Sequence, residues 1–162
     1  MAIIVKSSVQ AGALRAMLVA PNSFREPRMR TSHNADRFTG LADIYAAHRP
    51  AYPALVMATL ADRVAASSAP RIAIDIGCGT GISTLALATA LPDWRIIAAE
   101  PNTDMLTKAK STCASQSNIE FVQTCADALP HEDGTVGLVL AAQALHWFDA
   151  STFYAEAARV LP

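Results

Sequence analysis

The chain has 162 residues, of which 52% are hydrophobic and 17% charged, a composition that excludes a disordered chain and is typical of one soluble domain with a sizeable core. Thirteen basic and fourteen acidic residues give a formal net charge of -1, which excludes an overall field that attracts nucleic acid or an anionic membrane. We therefore expect a small-molecule ligand, with no nucleic acid and no membrane among the partners.

The first 33 residues differ in composition from the rest of the chain. Residues 1–30 contain five basic side chains and a single acid, Glu26. We expect residues 1–33 to form a disordered extension, followed by one domain over residues 34–162. The alternative is an Arg-rich mitochondrial targeting peptide. Otherwise we expect a cytoplasmic location, because the three cysteines match neither a disulfide framework nor a metal-ligand spacing, and we predict no metal site.

Two helices are predicted before the first buried strand. A short helix should end before Pro50 and cover the core, since apolar and aromatic side chains recur at helical spacing at Leu41, Ile44, Tyr45 and His48. A second helix should begin near Pro53, with an apolar face formed by Val56, Leu60 and Val64. Residues 65–70 have the composition of a loop.

A buried strand followed by a glycine turn is the strongest local pattern in the chain. Residues 72–76 are apolar except for Asp75, as expected for a central strand covered on both faces. Gly77, Gly79 and Gly81 follow, and the missing Cβ atoms permit positive φ angles and the close approach of a ligand. We expect Thr80 to cap the next helix. The apolar face of that helix is predicted at Ile82, Leu85, Ala86 and Thr89.

Three more strands are predicted over residues 94–99, 119–123 and 136–142, alternating with helices. Asn102 or its neighbours should cap the first of these helices, and Asp149 or Ser151 the last. Strands that alternate with helices predict an α/β fold, an open, Rossmann-like parallel sheet with flanking helices. Such sheets bind ligands beyond the carboxyl ends of their strands.

Polar or glycine residues follow all four predicted strands, and they limit the choice of ligand. Ile82 stands where a dinucleotide fingerprint would have its third glycine, so NAD is disfavoured. A phosphate-binding P-loop is excluded because no Lys-Ser/Thr pair follows Gly81. The carboxylate of Glu100 can accept both hydroxyls of a ribose. Asp127 can accept from an exocyclic adenine amine. The pattern therefore favours a nucleoside ligand without phosphates.

Over residues 34–162 the chain resembles the class I S-adenosylmethionine-dependent methyltransferases, in particular the small-molecule, type 11 or trans-aconitate-like branch. The similar motifs lie at residues 74–81, 99–106, 125–130 and 143–149. Tyr45, Arg49 and Tyr52 match a further segment, which implies a lid over the cofactor. The resemblance implies S-adenosyl-L-methionine as the cofactor, held by Asp75, Gly77, Cys78, Gly79, Gly81, Glu100, Pro101, Asp127, Ala128, Gln143, Tyr45 and Arg49. His146 and Asp149 are the candidates for a catalytic base.

The resemblance also implies a truncated sheet. The family continues with Lys-Pro-Gly-Gly, a fifth strand and an antiparallel pair, whereas this chain stops at Pro162. We expect strand order 3-2-1-4, without the usual C-terminal strands, and an exposed fourth strand through which copies of the chain could self-associate. The predicted function is methyl transfer to a small molecule. The alternative is a truncated, non-catalytic domain that binds a cofactor or a partner.

Overall fold

The computed structural model describes residues 2–5, 15–18, 39–48, 51–129 and 131–162. The strands of these ranges form one six-stranded sheet: β1 Ala2–Val5, β2 Arg15–Leu18, β3 Ile72–Ile76, β4 Arg95–Ala99, β5 Ile119–Val122 and β6 Leu138–Ala141. The α-helices are α1 Ala42–His48, α2 Ala54–Ala65, α3 Ile82–Ala90, α4 Thr103–Thr112 and α5 Ala150–Val160. A short 3-10 helix, Leu145–Trp147, lies between β6 and α5.

The parallel part of the sheet has the predicted topology. The strand order is β2-β1-β6-β3-β4-β5, and β6, β3, β4 and β5 run parallel. Counted from the glycine-turn strand onward, this order is 3-2-1-4. The structure therefore confirms the α/β class and the Rossmann-like order of the parallel strands, and it places the carboxyl ends of all four at one edge of the sheet.

The outer edge of β6 differs from the prediction. β1 pairs antiparallel with β6, with Ala2 opposite Ala141 and Ile4 opposite Val139, and β2 pairs with β1. The expected exposed fourth strand is therefore wrong, because β1 occupies its outer hydrogen-bonding groups. The expectation of disorder is likewise wrong at residues 2–5 and 15–18, while the rest of the extension lies outside the described residues. Self-association through an exposed β6 thus loses its structural basis.

Helices cover both faces of the parallel strands. On one face, α5 buries Phe153, Ala157 and Val160 in a cluster that contains Ile74 of β3. On the other face, α2 and α3 form a cluster with Ala73, the neighbour of Ile74. Since successive strand residues point to opposite faces, both faces of β3 are in the core. This arrangement explains why β3, β4 and β6 have nearly continuous apolar sequences.

The buried faces of α2 and α3 differ from those predicted. In α2 the buried residues are Met57, Leu60 and Val64, whereas Val56 is only partly buried. In α3 the buried face is formed by Ser83, Thr84, Leu87 and Ala88, so the predicted apolar face is wrong. Two hydroxyl groups can be buried there because a carboxylate of β3 accepts a hydrogen bond from each.

The predicted helix caps are correct in two cases and wrong in one. Asn102 caps α4 by accepting a hydrogen bond from the backbone N–H of Met105, and Asp149 caps α5 in the same way through Thr152. Thr80 caps nothing: the residue at the start of α3 is Gly81, without a side-chain cap. The Thr80 hydroxyl oxygen is buried without a hydrogen-bond partner.

Helix α1 forms where it was predicted, but two members of the predicted apolar face are exposed. Leu41 is 46% exposed and Ile44 is 61% exposed. The side chains of Tyr45 and His48, the other members of the predicted face, lie outside the described residues. None of the helices within the described ranges is both long enough and apolar enough to span a membrane.

Arg159 attaches the loop before β6 to the last helix. Its guanidinium donates to the carbonyl oxygens of Leu129 and His131, and it also contacts the carboxylates of Asp133 and Glu156. The hydrogen bond from Arg159 lowers the pKa of Glu156. The loop that follows β5 is therefore held against α5.

Candidate functional site

The glycine turn is anchored from below by a buried carboxylate. Asp75 is fully buried near the carboxyl end of β3. Its Oδ2 accepts hydrogen bonds from the hydroxyls of Ser83 at 2.7 Å and Thr84 at 2.6 Å, both in the first turn of α3. Its Oδ1 has no hydrogen-bond partner. Asp75 thus fixes the start of α3 against β3 and keeps one oxygen for another donor.

The three glycines of the turn have different roles, although all have positive φ angles of 56° to 86°. A Cβ on Gly77 would lie 2.6 Å from the Cβ of Ala144, and a Cβ on Gly81 would lie 3.0 Å from the Cα of Ala109. A Cβ on Gly79 would meet no atom within 4 Å. Gly77 and Gly81 therefore permit close packing of the protein, and Gly79 is the glycine that faces open space.

Backbone hydrogen bonds hold the turn against β4. The N–H groups of Gly77 and Cys78 both donate to the carbonyl oxygen of Ala99, at 2.8 and 3.1 Å. Cys78 is buried beneath the turn, and burial raises the pKa of its thiol well above the ordinary value. Cys78 therefore stays protonated, and its side chain is part of the packing.

Glu100 links the turn to the helix that follows β4. Its Oε2 accepts from the N–H of Gly79 at 3.0 Å, and its Oε1 accepts from the N–H of Asn102 at 3.0 Å. Glu100 is only 7% exposed, and burial raises its pKa while the two backbone hydrogen bonds oppose that change. Each carboxylate oxygen has a second lone pair, so both can still accept from a ligand hydroxyl.

The electrostatics of this edge favour a positively charged ligand. Burial raises the pKa of Asp75 to about 6, so its carboxylate is mainly ionised at neutral pH. The segments 75–81, 100–102 and 127–128 contain three acids and no lysine or arginine. A phosphate would meet repulsion from these acids, whereas an ammonium or sulfonium group would be attracted.

The carboxyl end of β5 contributes exposed groups. Asp127 and Ala128 are both exposed in the loop after β5. Gln123 donates to the carbonyl oxygen of Pro101 at 3.0 Å and to the hydroxyl of Thr103 at 3.1 Å. These contacts tie the end of β5 to the start of α4. The sequence predicted Pro101, Asp127 and Ala128 as site residues, and the topology places them at the same edge of the sheet as Glu100.

The carboxyl end of β6 approaches the turn through the segment 143–148. Phe148 lies beside Gly77, since a Cβ there would be 3.1 Å from its ring. Gln143 is exposed and has a positive φ of 58°, which is unusual for a residue with a side chain. Strained backbone of this kind is common at ligand-binding sites.

The two candidate bases occupy different environments. His146 is exposed, and its ring centroid lies 4.7 Å from that of Trp147. Asp149 uses its Oδ1 to accept hydrogen bonds from Ser151 and from both the backbone N–H and the hydroxyl of Thr152. Asp149 therefore serves as a helix cap, which makes His146 the more accessible of the two.

Two of the predicted site residues cannot be placed, and three supporting side chains were not predicted at the site. Arg49 and the side chain of Tyr45 lie outside the described residues, so their predicted roles stay predictions. Sequence reasoning missed the supporting roles of Ser83, Thr84 and Asn102 at the site, since Asn102 was predicted only as a cap of α4. The signals were present: two hydroxyl residues follow the glycine turn, and an asparagine stands two residues after Glu100. Among the described residues, no group of three or more His, Cys, Asp or Glu side chains could hold a metal ion.

Comparison with known protein families identifies the family to which the chain belongs. A family model described as a methyltransferase domain matches residues 73–162, more than half of the chain. The chain belongs to this methyltransferase domain family. The matched residues begin in β3 and include the glycine turn, Glu100, Asp127 and the segment after β6.

Individual relatives agree with this family. A Dictyostelium discoideum protein, named provisionally as a methyltransferase, is 30% identical over 126 residues, which cover 78% of this chain and 45% of that protein. A solved structure from Anaeromyxobacter dehalogenans, described provisionally as a type II methyltransferase, is 31% identical with a TM-score of 0.58. That match covers 70% of this chain and 44% of the other. The chain thus spans about half the length of the curated relatives it matches.

A more distant structure shares the fold alone. Magnesium protoporphyrin IX methyltransferase from Synechocystis, solved with S-adenosylhomocysteine bound, has a TM-score of 0.61 at 15% identity. The match covers 81% of this chain and 68% of that enzyme. It supports the Rossmann-like architecture of the present chain independently of close sequence similarity.

Proposed function

We propose that this chain binds S-adenosylmethionine and takes part in methyl transfer to a small-molecule acceptor. The observation that carries the proposal is the arrangement at Glu100. This carboxylate holds the N–H groups of Gly79 and Asn102, next to the one glycine of the turn that faces open space. Membership of the methyltransferase domain family supports the same reaction class.

The residues present fit S-adenosylmethionine in shape and in charge. Gly79 leaves room for a ligand beside the turn, because a Cβ there would meet no atom within 4 Å. Asp75 has a buried oxygen without a partner, and a cationic group is a suitable donor for it. The absence of lysine and arginine from the segments 75–81 and 100–102 suits a ligand that carries a sulfonium and an ammonium but no phosphate.

We assign the remaining contacts from the chemistry of the side chains. Glu100 would accept hydrogen bonds from ribose hydroxyls, and Asp127 would accept from the adenine amine. Pro101 and Ala128 would flank the adenine. Gln143, after β6, would border the methionine part, and the predicted roles of Tyr45 and Arg49 as a lid belong to the same proposal.

The protein contributes binding, orientation and the exclusion of water. When bound, S-adenosylmethionine supplies a methyl group on a positively charged sulfur, which a lone pair of the acceptor can displace in line. The chain needs no nucleophilic side chain of its own for this reaction, because positioning the acceptor supplies most of the acceleration. Where the acceptor must lose a proton, His146 is the exposed candidate that could take it.

Calorimetric titration of the chain with S-adenosylmethionine tests the cofactor assignment. We expect saturable binding near micromolar concentrations, and NAD serves as the negative control. Release of S-adenosylhomocysteine with a panel of small acids and phenols then tests transfer. No binding of S-adenosylmethionine would overturn the proposal, whereas binding without turnover on any acceptor would favour the non-catalytic alternative.

A further inference from the structure

The segment 39–48, which contains α1, is attached to α4 by polar contacts. Three pairs join the two elements: Thr39 with Asn102 at 3.1 Å, Gly40 with Asp104 at 2.9 Å, and Asp43 with Lys108 at 2.7 Å. The apolar side chains Leu41 and Ile44 remain largely exposed, at 46% and 61%. These polar contacts attach the segment to α4.

Asn102 forms hydrogen bonds with three parts of the molecule: the carboxylate of Glu100, the first turn of α4 and the segment 39–48. Its backbone N–H donates to Glu100, its Oδ1 accepts from the N–H of Met105 to cap α4, and its Nδ2 donates to the hydroxyl of Thr39. Asn102 is only 5% exposed, so its hydrogen bonds with Glu100 and Met105 are buried, whereas its hydrogen bond to the exposed Thr39 is partly buried. Asn102 thus connects the carboxylate of the candidate site with the segment 39–48.

A continuous series of hydrogen bonds runs from the glycine turn to this segment. Gly79 donates to Glu100, the N–H of Asn102 donates to the same carboxylate, and Asn102 donates to Thr39. A ligand that binds Glu100 stabilises the position of that carboxylate, and with it the backbone of Asn102. Any such effect is reciprocal, since a segment that stabilises the site must itself be stabilised by the ligand.

We propose that Asn102 is a positioning residue that couples the segment 39–48 to ligand bound at Glu100, through its hydrogen bond to Thr39. This inference rests on the proposed function, because the ligand is S-adenosylmethionine. The segment is fixed when the cofactor is bound, and its attachment in turn slows the departure of the cofactor. Thr39 belongs to neither the catalytic nor the cofactor-binding residues, so it can be changed without altering the site itself.

Two substitutions at the exposed Thr39 form a matched test. Thr39→Val removes the accepting hydroxyl at nearly constant shape, whereas Thr39→Ser keeps it. We expect Thr39→Val to raise the Kd for S-adenosylmethionine about fivefold, mainly through faster dissociation, because one hydrogen bond is lost. Thr39→Ser should have the same Kd as the wild-type chain. Stopped-flow measurement of both rate constants separates this effect from a general loss of folded protein, which lowers the number of sites and leaves the rate constants unchanged.

Hydrogen exchange provides a readout that needs no cofactor. Amides of residues 40–48 should exchange faster in Thr39→Val than in the wild-type chain, and Thr39→Ser should match the wild type. Added S-adenosylmethionine should slow this exchange in the wild-type chain more than in Thr39→Val.

The two failures are distinguishable. If the wild-type chain does not bind S-adenosylmethionine, the proposed function fails and the coupling fails with it. If the wild-type chain binds and Thr39→Val has the same Kd, dissociation rate and exchange pattern, the coupling alone is overturned.

Discussion

The ends of β3 and β4 differ from the ends of β5 and β6, although all four lie at one edge of the sheet. At the first pair, Asp75 and Glu100 are buried and their oxygens accept hydrogen bonds from the protein. At the second pair, Asp127 and Gln143 are exposed. One half of the site is therefore built into the core, and the other half lies on the surface.

This difference predicts how substitutions in each half affect the stability of the chain and its affinity for a ligand. In the buried half, folding already fixes the side chains, so ordering them costs no further free energy when a ligand binds. In the exposed half, side chains lose conformational freedom only on binding. Substitutions in the buried half should therefore change both stability and affinity, whereas those in the exposed half should change affinity alone.

Gly77→Ala should have the largest effect on stability. The new Cβ would lie 2.6 Å from that of Ala144 and would require a positive φ of 70°. We expect the free energy of unfolding to fall by about 3 kcal/mol, from overpacking and from left-handed backbone strain together. Urea denaturation measures this change. Gly79→Ala is the matched control, with a cost of about 1 kcal/mol from backbone strain alone. Equal losses in the two variants would contradict the different roles of these glycines.

Glu100→Gln should lower both the free energy of unfolding and the affinity for S-adenosylmethionine, with a smaller loss of stability than Gly77→Ala. The amide of glutamine would place a donor against the N–H of Gly79 or of Asn102, both of which now donate to this side chain. We expect a loss of about 1–2 kcal/mol in stability and a loss of about tenfold or more in affinity for S-adenosylmethionine. Denaturation and calorimetry on the same preparation measure the two effects. An unchanged affinity would remove Glu100 from the site.

Ionisation of Asp75 should lower the stability of the folded chain and raise its affinity for S-adenosylmethionine. Its pKa rises from the ordinary value of 3.8 to about 6 on folding, so the folded chain holds this proton more tightly than the unfolded chain. Relative to Asp75→Asn, stability should fall as the pH rises from about 4 to about 6. Affinity for cationic S-adenosylmethionine should instead fall as the pH drops through about 6, because the carboxylate becomes neutral.

Calorimetry and denaturation at matched pH values test this opposition. The titratable groups that interact with Asp75 include Cys78, Glu100 and Cys113, and comparison with Asp75→Asn isolates the contribution of Asp75 itself. The same pH dependence in Asp75→Asn and in the wild-type chain would show that another group is responsible.

Asp127→Ala should have the smallest effect on stability. Since Asp127 is exposed, we expect the free energy of unfolding to change by no more than about 0.5 kcal/mol. The affinity for S-adenosylmethionine should fall about fivefold, because one hydrogen bond to the ligand is lost. A loss of stability as large as that of Glu100→Gln would contradict the division into a buried half and an exposed half.

The sequence predicted the parallel sheet and the glycine turn because both depend on local patterns. Apolar strand runs, three alternating glycines and an acid after the second strand are visible over a few residues each. Two helix caps were predicted for the same reason: Asn102 and Asp149 bind backbone groups within their own first turn. Thr80 has the residue type of a cap, yet Gly81 occupies that position.

The missed features depend on partners distant in sequence. Ser83 and Thr84 are buried because Asp75 accepts their hydrogen bonds, so an apolar pattern selected the wrong face of α3. The pairing of β1 with β6 joins the first residues of the chain to residues near its end, and composition alone suggested disorder there. Long-range pairing of a four-residue strand leaves no periodic signal in the sequence.

The pairing of β1 with β6 has a consequence for the order in which the chain can fold. Ile4 can pair with Val139 only after all the residues between them have been synthesised, so this edge of the sheet closes after β3, β4 and β5 have emerged. Contacts of such high sequence separation form slowly, while β3, α3 and β4 are near one another in the chain and can assemble early. Until β6 has been synthesised, the edge of the apolar segment Ala2–Val5 that faces β6 has no strand to pair with.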